Sequence, residues 1–499
     1  MDNKPAESFL SRFISGAFAI GIGRLSTVVL GFLGLAIATR WVSLEEMGAF
    51  TLLRLIGSFM ASMSDFGISL SLTRFLTSSE DVQDKRKLTN TALFFRCLTI
   101  AVACITVLLG REALFLLFGR IQYSELFIYV PIILAVEGLC GITYAILEGS
   151  FKFKALSIIE LIASVLNLTL TIVFVVWMKL GVLGLIYMRI VFRGLNALFA
   201  YFAARIQPRV EIDLRKLEMM LKFGFPIYIN SILSFIFSRA DTFLIGALLG
   251  SAEIALYEIA RKIPESLEMM ADAFRQVYFP FISKLFSSGE IPKGTRMLNH
   301  SIRLVTFLGM FGTLISIIFG KEIITFVFSE KYLASAPIFG ILMILLTFTI
   351  VHMITGYSLV AVGGSNKIPF IESIHTVLSF SGYLVLIPIL NLAGAALANL
   401  NGTVLVFPLN VFFLRRSGID VKFRFILKPI LIFGLFWVFI EALNPQCLRS
   451  KIALIALFIF SNLLMAVINR EDVAILIREG KTIFARILNR SRPEGIDTE

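Results

Sequence analysis

The sequence predicts an all-α polytopic membrane protein with about 14 transmembrane helices, arranged as two parallel-oriented six-helix lobes around a central cavity plus two C-terminal helices. Composition is the first observation behind this fold class: 57% of the 499 residues are hydrophobic, 16% are charged, and the mean hydropathy is +0.87. These values lie outside the range of soluble globular proteins. The second observation is that apolar segments long enough to cross a bilayer core of ~30 Å recur along the chain.

The first predicted lobe covers residues 1–205 and contains six apolar segments. They lie at roughly 13–39, 48–73, 88–110, 124–147, 155–178 and 181–204. A polar stretch follows at 206–222, with Pro208 and a charged run from Glu211 to Lys216. Because proline and consecutive charges interrupt apolar segments, we expect this stretch to be a cytoplasmic loop between the lobes.

The second predicted lobe covers residues 223–416 and again contains six apolar segments. They lie at roughly 223–249, 254–281, 297–319, 333–361, 368–390 and 392–414. Two further helices are predicted within 417–470, at about 425–443 and 451–468. Residues 471–499 form a predicted cytoplasmic tail, and its apolar residues share one side, as in an amphipathic helix on an anionic leaflet.

The second apolar segment carries charge at membrane depth. A single helix from Gly48 to Arg74 would be roughly 40 Å long, with Arg54 near its middle and Asp65 in its last third. An unpaired charge at the centre of a membrane helix costs about 2.5–3.5 kcal/mol. We therefore expect both side chains to face protein or water rather than lipid.

The same pattern returns 207 residues later, which indicates an internal duplication. In this repeat Arg54 corresponds to Arg261 and Asp65 to Asp272. Six helices per lobe return the chain to the same side of the membrane. The lobes should therefore be related by a pseudo-twofold axis along the membrane normal, a layout that suits alternating access to a central cavity.

The net charge of +12 has a membrane explanation. Of the 46 Lys and Arg residues, 29 fall in segments on the same side as the N-terminus and 8 on the opposite side. Because cytoplasmic loops collect Lys and Arg, both termini are predicted to be cytoplasmic. The loop charges show no aromatic interleaving and no nucleic-acid-binding motif, so we expect no nucleic-acid partner.

Four arginines inside the spans are candidates for substrate binding, because guanidinium groups hold pyrophosphate oxygens bidentately. Arg24 and Arg54 are placed deep in the first two helices, and Arg239 and Arg261 belong to helices seven and eight. The alternative is that these arginines pair with acids such as Asp65 or Glu160 and hold helices together. The remaining span arginines are predicted to extend towards the membrane interfaces; they are Arg96, Arg189, Arg193 and Arg275.

Four acids are candidates for binding a coupling proton or sodium ion: Asp65, Asp241, Asp272 and Glu160. Asp241 has an alternative role, a bridge to Arg261 on the next helix. His352 and His375 also lie in predicted spans. A single histidine on an apolar face is usually a packing residue, and we interpret these two in that way.

No pattern in the chain indicates catalysis or a cofactor. The four cysteines stand singly without metal-ligand spacing. Neither a phosphate-binding Gly-x-x-x-x-Gly-Lys-Ser/Thr loop nor a His-Glu-x-x-His motif occurs. The predicted external loops are short, which disfavours a membrane polysaccharide polymerase. We expect a secondary transporter that is not an enzyme.

Three runs give the chain a resemblance to a known family. They are EEMGAFTLLRLIGSFMASMSDFGISLSLTRFL (Glu45 to Leu76), LEGSFKFKALSIIELI (Leu147 to Ile162) and LKFGFPIYINSILSFIFSRADTFLIGALLG (Leu221 to Gly250). The chain resembles the polysaccharide transporter family, which includes the O-antigen flippases. The larger group also contains the lipid II flippase and the multidrug and toxin extruders.

The resemblance implies a flippase that moves an undecaprenyl-pyrophosphate-linked oligosaccharide to the outer leaflet of a bacterial or archaeal cytoplasmic membrane, driven by a proton or sodium gradient. Arg24 and Arg54 look similar to arginines that line the cavity of the lipid II flippase. The first helix lacks the acid that many extruders carry there, which weakens the alternative of a drug antiporter. Glycosyltransferases or a polymerase are the protein partners that this function implies, and surrounding membrane lipids are also expected.

Overall fold

The computed structural model describes residues 28–118, 123–206, 209, 211–443 and 447–465. All regular secondary structure in these ranges is helical. Arg24 and the predicted amphipathic tail at 471–499 lie outside the described residues, so their predictions remain untested.

The described helices of the N-terminal half are α1 (Val28–Trp41), α2 (Leu44–Met63), α3 (Ile68–Ser78), α4 (Val82–Leu109), α5 (Arg111–Leu117), α6 (Val130–Gly149), α7 (Phe153–Thr171) and α8 (Gly181–Ala204). A 3₁₀ segment, Ser124–Tyr129, leads into α6, and a π-helical segment, Ile172–Trp177, extends α7. The remaining helices are α9 (Leu214–Leu248), α10 (Ser251–Ser287), α11 (Ile291–Val327), α12 (Ser335–Ala361), α13 (Ile368–Arg416), α14 (Arg424–Leu443) and α15 (Leu448–Leu464).

Within the described residues, nine helices are long and apolar enough to cross a membrane, and the bent pair α2 and α3 raises this number to ten. The predicted all-α, multi-pass class is therefore confirmed. The exact number of 14 spans stays a prediction.

The helices gather into two compact units. The first unit comprises the described residues of Met1–Lys262, Ile324–Ser335 and Phe380–Ala395. The second unit comprises those of Ile263–Ile323, Ala336–Ser379 and Ala396–Glu499. The predicted domain limits at residues 205, 222, 416 and 470 stay predictions.

The second predicted span is a bent pair of helices rather than the single helix expected from Gly48 to Arg74. The two parts, α2 and α3, meet at 52°. Phe66 and Gly67 have φ values of 50° and 76°, and a right-handed helix cannot continue through such residues. A Cβ at Gly67 would lie 2.3 Å from the carbonyl oxygen of Gly224, so glycine permits both the conformation and the close packing of α9.

The eleventh and twelfth predicted spans are joined at a sharp break inside α13. Asn391 has φ 51° and ψ −130°, which is not helical. The sequence placed the boundary between 390 and 392, so this prediction is confirmed. Gly394 lies directly against the backbone of Leu386, where a Cβ would be 2.0 Å from the carbonyl oxygen.

The first turns of α9 lie within the predicted loop region. The helix begins at Leu214, within the stretch 206–222, and Asp213 caps it by accepting hydrogen bonds from the amides of Arg215 and Lys216. Glu211 forms a salt bridge with Arg86 near the start of α4, at 3.0 Å. The loop is thereby attached to the end of α4.

Lys152 stabilises the turn between α6 and α7. Its Nζ donates hydrogen bonds to the carbonyl oxygens of Ala203 (2.9 Å) and Ala204 (3.1 Å) at the end of α8. A cation at this position also interacts favourably with the helix dipole. Burial and the neighbouring Arg205 lower the pKa of Lys152 below its usual value.

Candidate substrate site in the first unit

Three groups of charged side chains lie among the spans of the first unit. We name them by their acids: the Asp65 group, the Glu137 group and the Asp241 group. A fourth feature is Arg54, which forms no hydrogen bond or ion pair with any of the three. The groups differ in how completely their charges are balanced.

The Asp65 group lies at the bend between α2 and α3. Arg96 of α4 is only 2% exposed and donates hydrogen bonds to the carbonyl oxygen of Ala61 (2.7 Å) and to Ser64 Oγ (2.9 Å). Its Nε lies 3.6 Å from Asp65 Oδ1. Asp65 also accepts hydrogen bonds from the amide and hydroxyl of Ser69 at the start of α3. Arg96 therefore stabilises the helix break, and the prediction that it extends towards an interface is wrong.

The Glu137 group joins α6 to α8. Glu137 is buried and accepts hydrogen bonds from both Arg189 and Arg193. The two arginines are four residues apart, so they share one face of α8. One carboxylate thus binds two guanidinium groups. The prediction that Arg189 and Arg193 extend towards the membrane interfaces is therefore wrong.

Glu160 of α7 lies near this group. It interacts electrostatically with Cys140 and Tyr144, which also interact with Arg193. Glu160 thus shares two neighbours, Cys140 and Tyr144, with Arg193. The predicted ion-coupling role of Glu160 stays a prediction.

The Asp241 group joins α9 to α10. Asp241 is 3% exposed, and its Oδ1 and Oδ2 lie 3.2 Å and 3.1 Å from Arg261 Nη1. The hydroxyl of Tyr257 donates to Asp241 Oδ2 at 3.0 Å. Arg261 donates a further hydrogen bond to the carbonyl oxygen of Ser238 at 3.0 Å. Asp241 therefore forms a bridge to Arg261, which was the alternative role expected for it from the sequence.

Glu258 and Arg239 complete the Asp241 group. Arg239 Nη1 lies 3.5 Å from Glu258 Oε1, and Thr242 Oγ1 donates to the same oxygen at 3.0 Å. Two arginines thus face two carboxylates, and the group is balanced when all four are ionised. Roles for Arg239 and Arg261 in substrate binding and for Asp241 in ion coupling stay predictions.

Arg54 of α2 has a different environment. It is half-buried, and it interacts electrostatically with both Arg189 and Glu258. It therefore lies between the Glu137 group and the Asp241 group. Among the described residues, Arg54 has no hydrogen-bond or ion-pair partner, unlike the other arginines of these groups.

A cavity of about 330 Å³ opens beside the Asp65 group. Asp65, Arg96 and Glu137 contribute charged groups to its wall, and Ser58, Ser231 and Tyr228 contribute hydroxyls. Ser58 lies one helical turn after Arg54 on α2. The hydroxyls of this wall can form hydrogen bonds with a polyhydroxylated ligand, whereas Arg96 and Glu137 already bind protein partners.

The last candidate, Asp272, lies in the second unit. It is exposed and pairs with Arg275 on the next turn of α10, at 3.2 Å. Its ion-coupling role stays a prediction. The described residues contain no group of three His, Cys, Asp or Glu side chains that could hold a metal ion.

Sequence reasoning missed the Glu137 group as a unit. The signal was present, because Arg189 and Arg193 have the four-residue spacing of one helix face and Glu137 lies within a span. What the sequence lacks is the contact between α6 and α8, which are adjacent in the structure.

Comparison with known families gives one match over most of the chain. A family described as "Polysaccharide biosynthesis protein" matches residues 37–337. This range includes every described residue of the three charged groups and Arg54.

Known proteins with similar sequence or structure are distant. The probable low-salt glycan biosynthesis flippase Agl15 of Haloferax volcanii is 22% identical over 440 residues, which cover 84% of this chain and 85% of the relative. Among solved structures, the lipid II flippase MurJ in its inward closed conformation has a TM-score of 0.70 at 16% identity, covering 89% of this chain and 98% of that one. An inward-facing multidrug resistance transporter of the MATE family has a TM-score of 0.61 at 17% identity, covering 80% and 98%.

Proposed function

We propose, from the premise that the chain belongs to the polysaccharide biosynthesis protein family, that it is a flippase for a lipid-linked, anionic saccharide. The substrate class that fits best is an oligosaccharide linked to undecaprenyl pyrophosphate, an O-antigen or other surface-polysaccharide unit. Transport from the inner to the outer leaflet would occur by alternating access. The Agl15 relative, itself named as a probable glycan biosynthesis flippase, supports this proposal.

Arg54 is the observation that carries the proposal. A charged side chain in the middle of a membrane helix costs about 2.5–3.5 kcal/mol unless it is partnered or hydrated. Among the described residues Arg54 has no such partner, whereas Arg261 and Arg96 have several. An anionic ligand would supply the missing charge, and a pyrophosphate offers the oxygens that a guanidinium binds bidentately.

The cavity beside the Asp65 group supports a saccharide as the group attached to this anion. It begins one turn after Arg54 on α2 and presents hydroxyls and carboxylates. Sugar hydroxyls both donate and accept hydrogen bonds, so they can use these groups. We place the pyrophosphate at Arg54 and the adjoining sugar in the cavity.

The finer features of the transporter belong to the proposal as well. We propose about 14 spans with both termini in the cytoplasm, insertion in the cytoplasmic membrane, and transport driven by an ion gradient. Glycosyltransferases or a polymerase acting on the same saccharide are the proposed protein partners. A cationic-drug antiporter fits less well, because the unpaired charge of Arg54 repels a cation.

The test is complementation of a strain that lacks its own O-antigen or capsule flippase. The wild-type chain should restore surface polysaccharide, and Arg54→Ala should abolish the restoration, because the pyrophosphate loses its cation. Arg54→Lys should retain part of it, since an ammonium keeps the charge but not the bidentate geometry. Surface polysaccharide is quantified at matched amounts of protein in the membrane.

Arg74→Ala provides the matched control. Arg74 is an exposed arginine of α3 that stacks on Phe223 at 3.9 Å and belongs to none of the charged groups. Its loss should leave transport close to the wild-type level. Wild-type transport by Arg54→Ala would refute the proposed anion site.

A further inference from the structure

Two of the protein's three histidines lie together in the second unit. His352 belongs to α12 and His375 to α13, and their ring centroids are 5.9 Å apart. Both helices are apolar enough to cross a membrane. The chain contains only three histidines in 499 residues, so a high frequency of histidine does not explain why these two side chains lie together.

Glu372 links the two rings. Its Oε1 lies 3.0 Å from His352 Nε2, and its Oε2 lies 3.7 Å from His375 Nδ1. One carboxylate therefore contacts two imidazoles. We call His352, Glu372 and His375 the His-Glu-His cluster.

The second half of α13 holds both rings from the other side. Thr403 Oγ1 lies 3.1 Å from His375 Nε2, and Asn410 Nδ2 lies 3.0 Å from His352 Nδ1. Each imidazole thus has one nitrogen towards Glu372 and the other towards a neutral polar group. The rings are fixed in orientation without a further charge.

Asn410 can form a hydrogen bond with the His352 imidazole both when this ring is neutral and when it is protonated. In the observed arrangement its amide donates to Nδ1, as suits a neutral imidazole. Asn410 is fully buried, and its Oδ1 is a buried atom that has no hydrogen-bond partner among the described residues. Rotation of the amide would present Oδ1 to the N–H of a protonated imidazole. The spare acceptor therefore fits a ring that gains and loses a proton.

The cluster lies at membrane depth and yet is partly open. With a rise of about 1.5 Å per residue, Glu372 is about 6 Å from the start of α13 and His352 about 14 Å from the end of α12. The side chain of Glu372 is nevertheless 49% exposed. An ionised carboxylate that faces lipid within a span is unfavourable, so we expect Glu372 to face water or to bind a proton.

The titratable groups that act on Glu372 belong to α12 and α13. Its electrostatic partners are His352 and His375. From α10, Arg275 binds the hydroxyl of Tyr357 further along α12, at 2.6 Å. The second half of α13 contributes only the neutral Asn410 and Thr403.

The chemistry of the cluster favours a proton over a sodium ion. Hard cations such as Na⁺ and Ca²⁺ prefer an all-oxygen shell, whereas two of the three groups here offer nitrogen. Both imidazole and carboxylate can bind a proton, and imidazole does so near neutral pH.

We propose that the His-Glu-His cluster is a proton-binding site through which a proton gradient drives transport. This proposal rests on the proposed function and names the coupling ion for it. A proton taken from water forms an N–H bond on an imidazole or an O–H bond on Glu372, and the same bond breaks when the proton returns to water. Protonation changes the charge of the contact between α12 and α13 and so biases their arrangement.

Proton binding can be tested without any substrate. Full-length protein with ¹³C-labelled histidine in nanodiscs gives three imidazole titration curves, which NMR follows from about pH 5 to about pH 9. Glu372→Gln should move the midpoints of both cluster histidines to lower pH by at least about half a pH unit, because the amide no longer attracts the proton. The curve of His300, which contacts Arg303 on α11, should stay unchanged and serves as the internal control.

Coupling is tested in the complementation strain at matched membrane levels. Glu372→Gln and His352→Gln should reduce surface polysaccharide about tenfold or more, as expected when a coupling free energy is lost. His300→Gln is the matched control and should behave as wild type. An uncoupler of the proton gradient should reduce transport by the wild type and leave the residual transport by Glu372→Gln unchanged.

The two arms separate failure of the site from failure of the function. Superimposable titration curves for wild type and Glu372→Gln would overturn the proton site, and so would full transport by that variant. Failure of the wild type to restore polysaccharide would count against the proposed function, while the titration would still decide proton binding.

Discussion

Arg54 and Arg261 occupy equivalent positions of the predicted internal repeat, and the structure gives them different surroundings. Arg261 binds both carboxylate oxygens of Asp241 and the carbonyl oxygen of Ser238. Arg54 has no ion-pair or hydrogen-bond partner among the described residues. The repeat therefore preserves the residue type in both copies but supplies a partner in only one of them.

The difference separates an arginine that is paired within the protein from one that forms no ion pair or hydrogen bond with the described residues. Asp241 reaches Arg261 because α9 and α10 are consecutive helices joined by a short turn. Near Arg54, each acid has another basic partner: Asp65 contacts Arg96, Glu137 binds Arg189 and Arg193, and Glu258 pairs with Arg239. We interpret the Asp241 group as a joint between helices and Arg54 as the site where substrate binds.

Removing Asp241 should have the largest effect on stability. Asp241→Ala leaves Arg261 and Tyr257 without their buried acceptor, and breaking one side of a buried ion pair typically costs about 3–5 kcal/mol. Unfolding of the purified protein in mixed detergent micelles, with increasing dodecyl sulfate, measures the loss. The double variant Asp241→Leu with Arg261→Met removes both charges and should recover most of the stability. A fully stable Asp241→Ala would show that the group is not a structural joint.

A smaller effect is expected at the bend of α2 and α3. Asp65→Asn removes a charge that lies 3.6 Å from Arg96 but keeps an oxygen that can accept from Ser69. Arg96 retains its hydrogen bonds to Ala61 and Ser64, so the unfolding free energy should fall by only about 1 kcal/mol. The same micelle titration measures this change. If Asp65→Asn lowers the unfolding free energy as much as Asp241→Ala does, the Asp65 group also holds helices together.

The sequence predicted the all-helical, multi-pass class because apolar length and charge carry that information locally. It also found the break near Asn391 and the short turns between most spans. The prediction of one long helix from Gly48 to Arg74 was wrong. At Gly67 the positive φ interrupts the helix, and this glycine packs against Gly224. Hydropathy does not record such a contact.

The charged residues show the same limit. The spacing of Arg189 and Arg193 shows that they share a helix face, but only the packing of α6 on α8 shows that Glu137 is their partner. His352 and His375 are 23 positions apart and look like separate packing residues until α12 and α13 bring them to one carboxylate. Side-chain pairs between different helices depend on tertiary contacts, and these contacts cannot be predicted from a single sequence.

Arg54→Ala should have the smallest effect on stability, and this makes it the sharpest test of the comparison. A side chain without an ion pair or hydrogen bond contributes little to the folded state, so the unfolding free energy should change by less than about 1 kcal/mol. Arg261→Ala, measured beside it, should lose several times more, because Asp241 is then buried without its cation. If Arg54→Ala instead destabilises the protein as strongly as Arg261→Ala, then Arg54 holds helices together as Arg261 does. A stable Arg54→Ala that no longer transports leaves ligand binding as the function of this arginine.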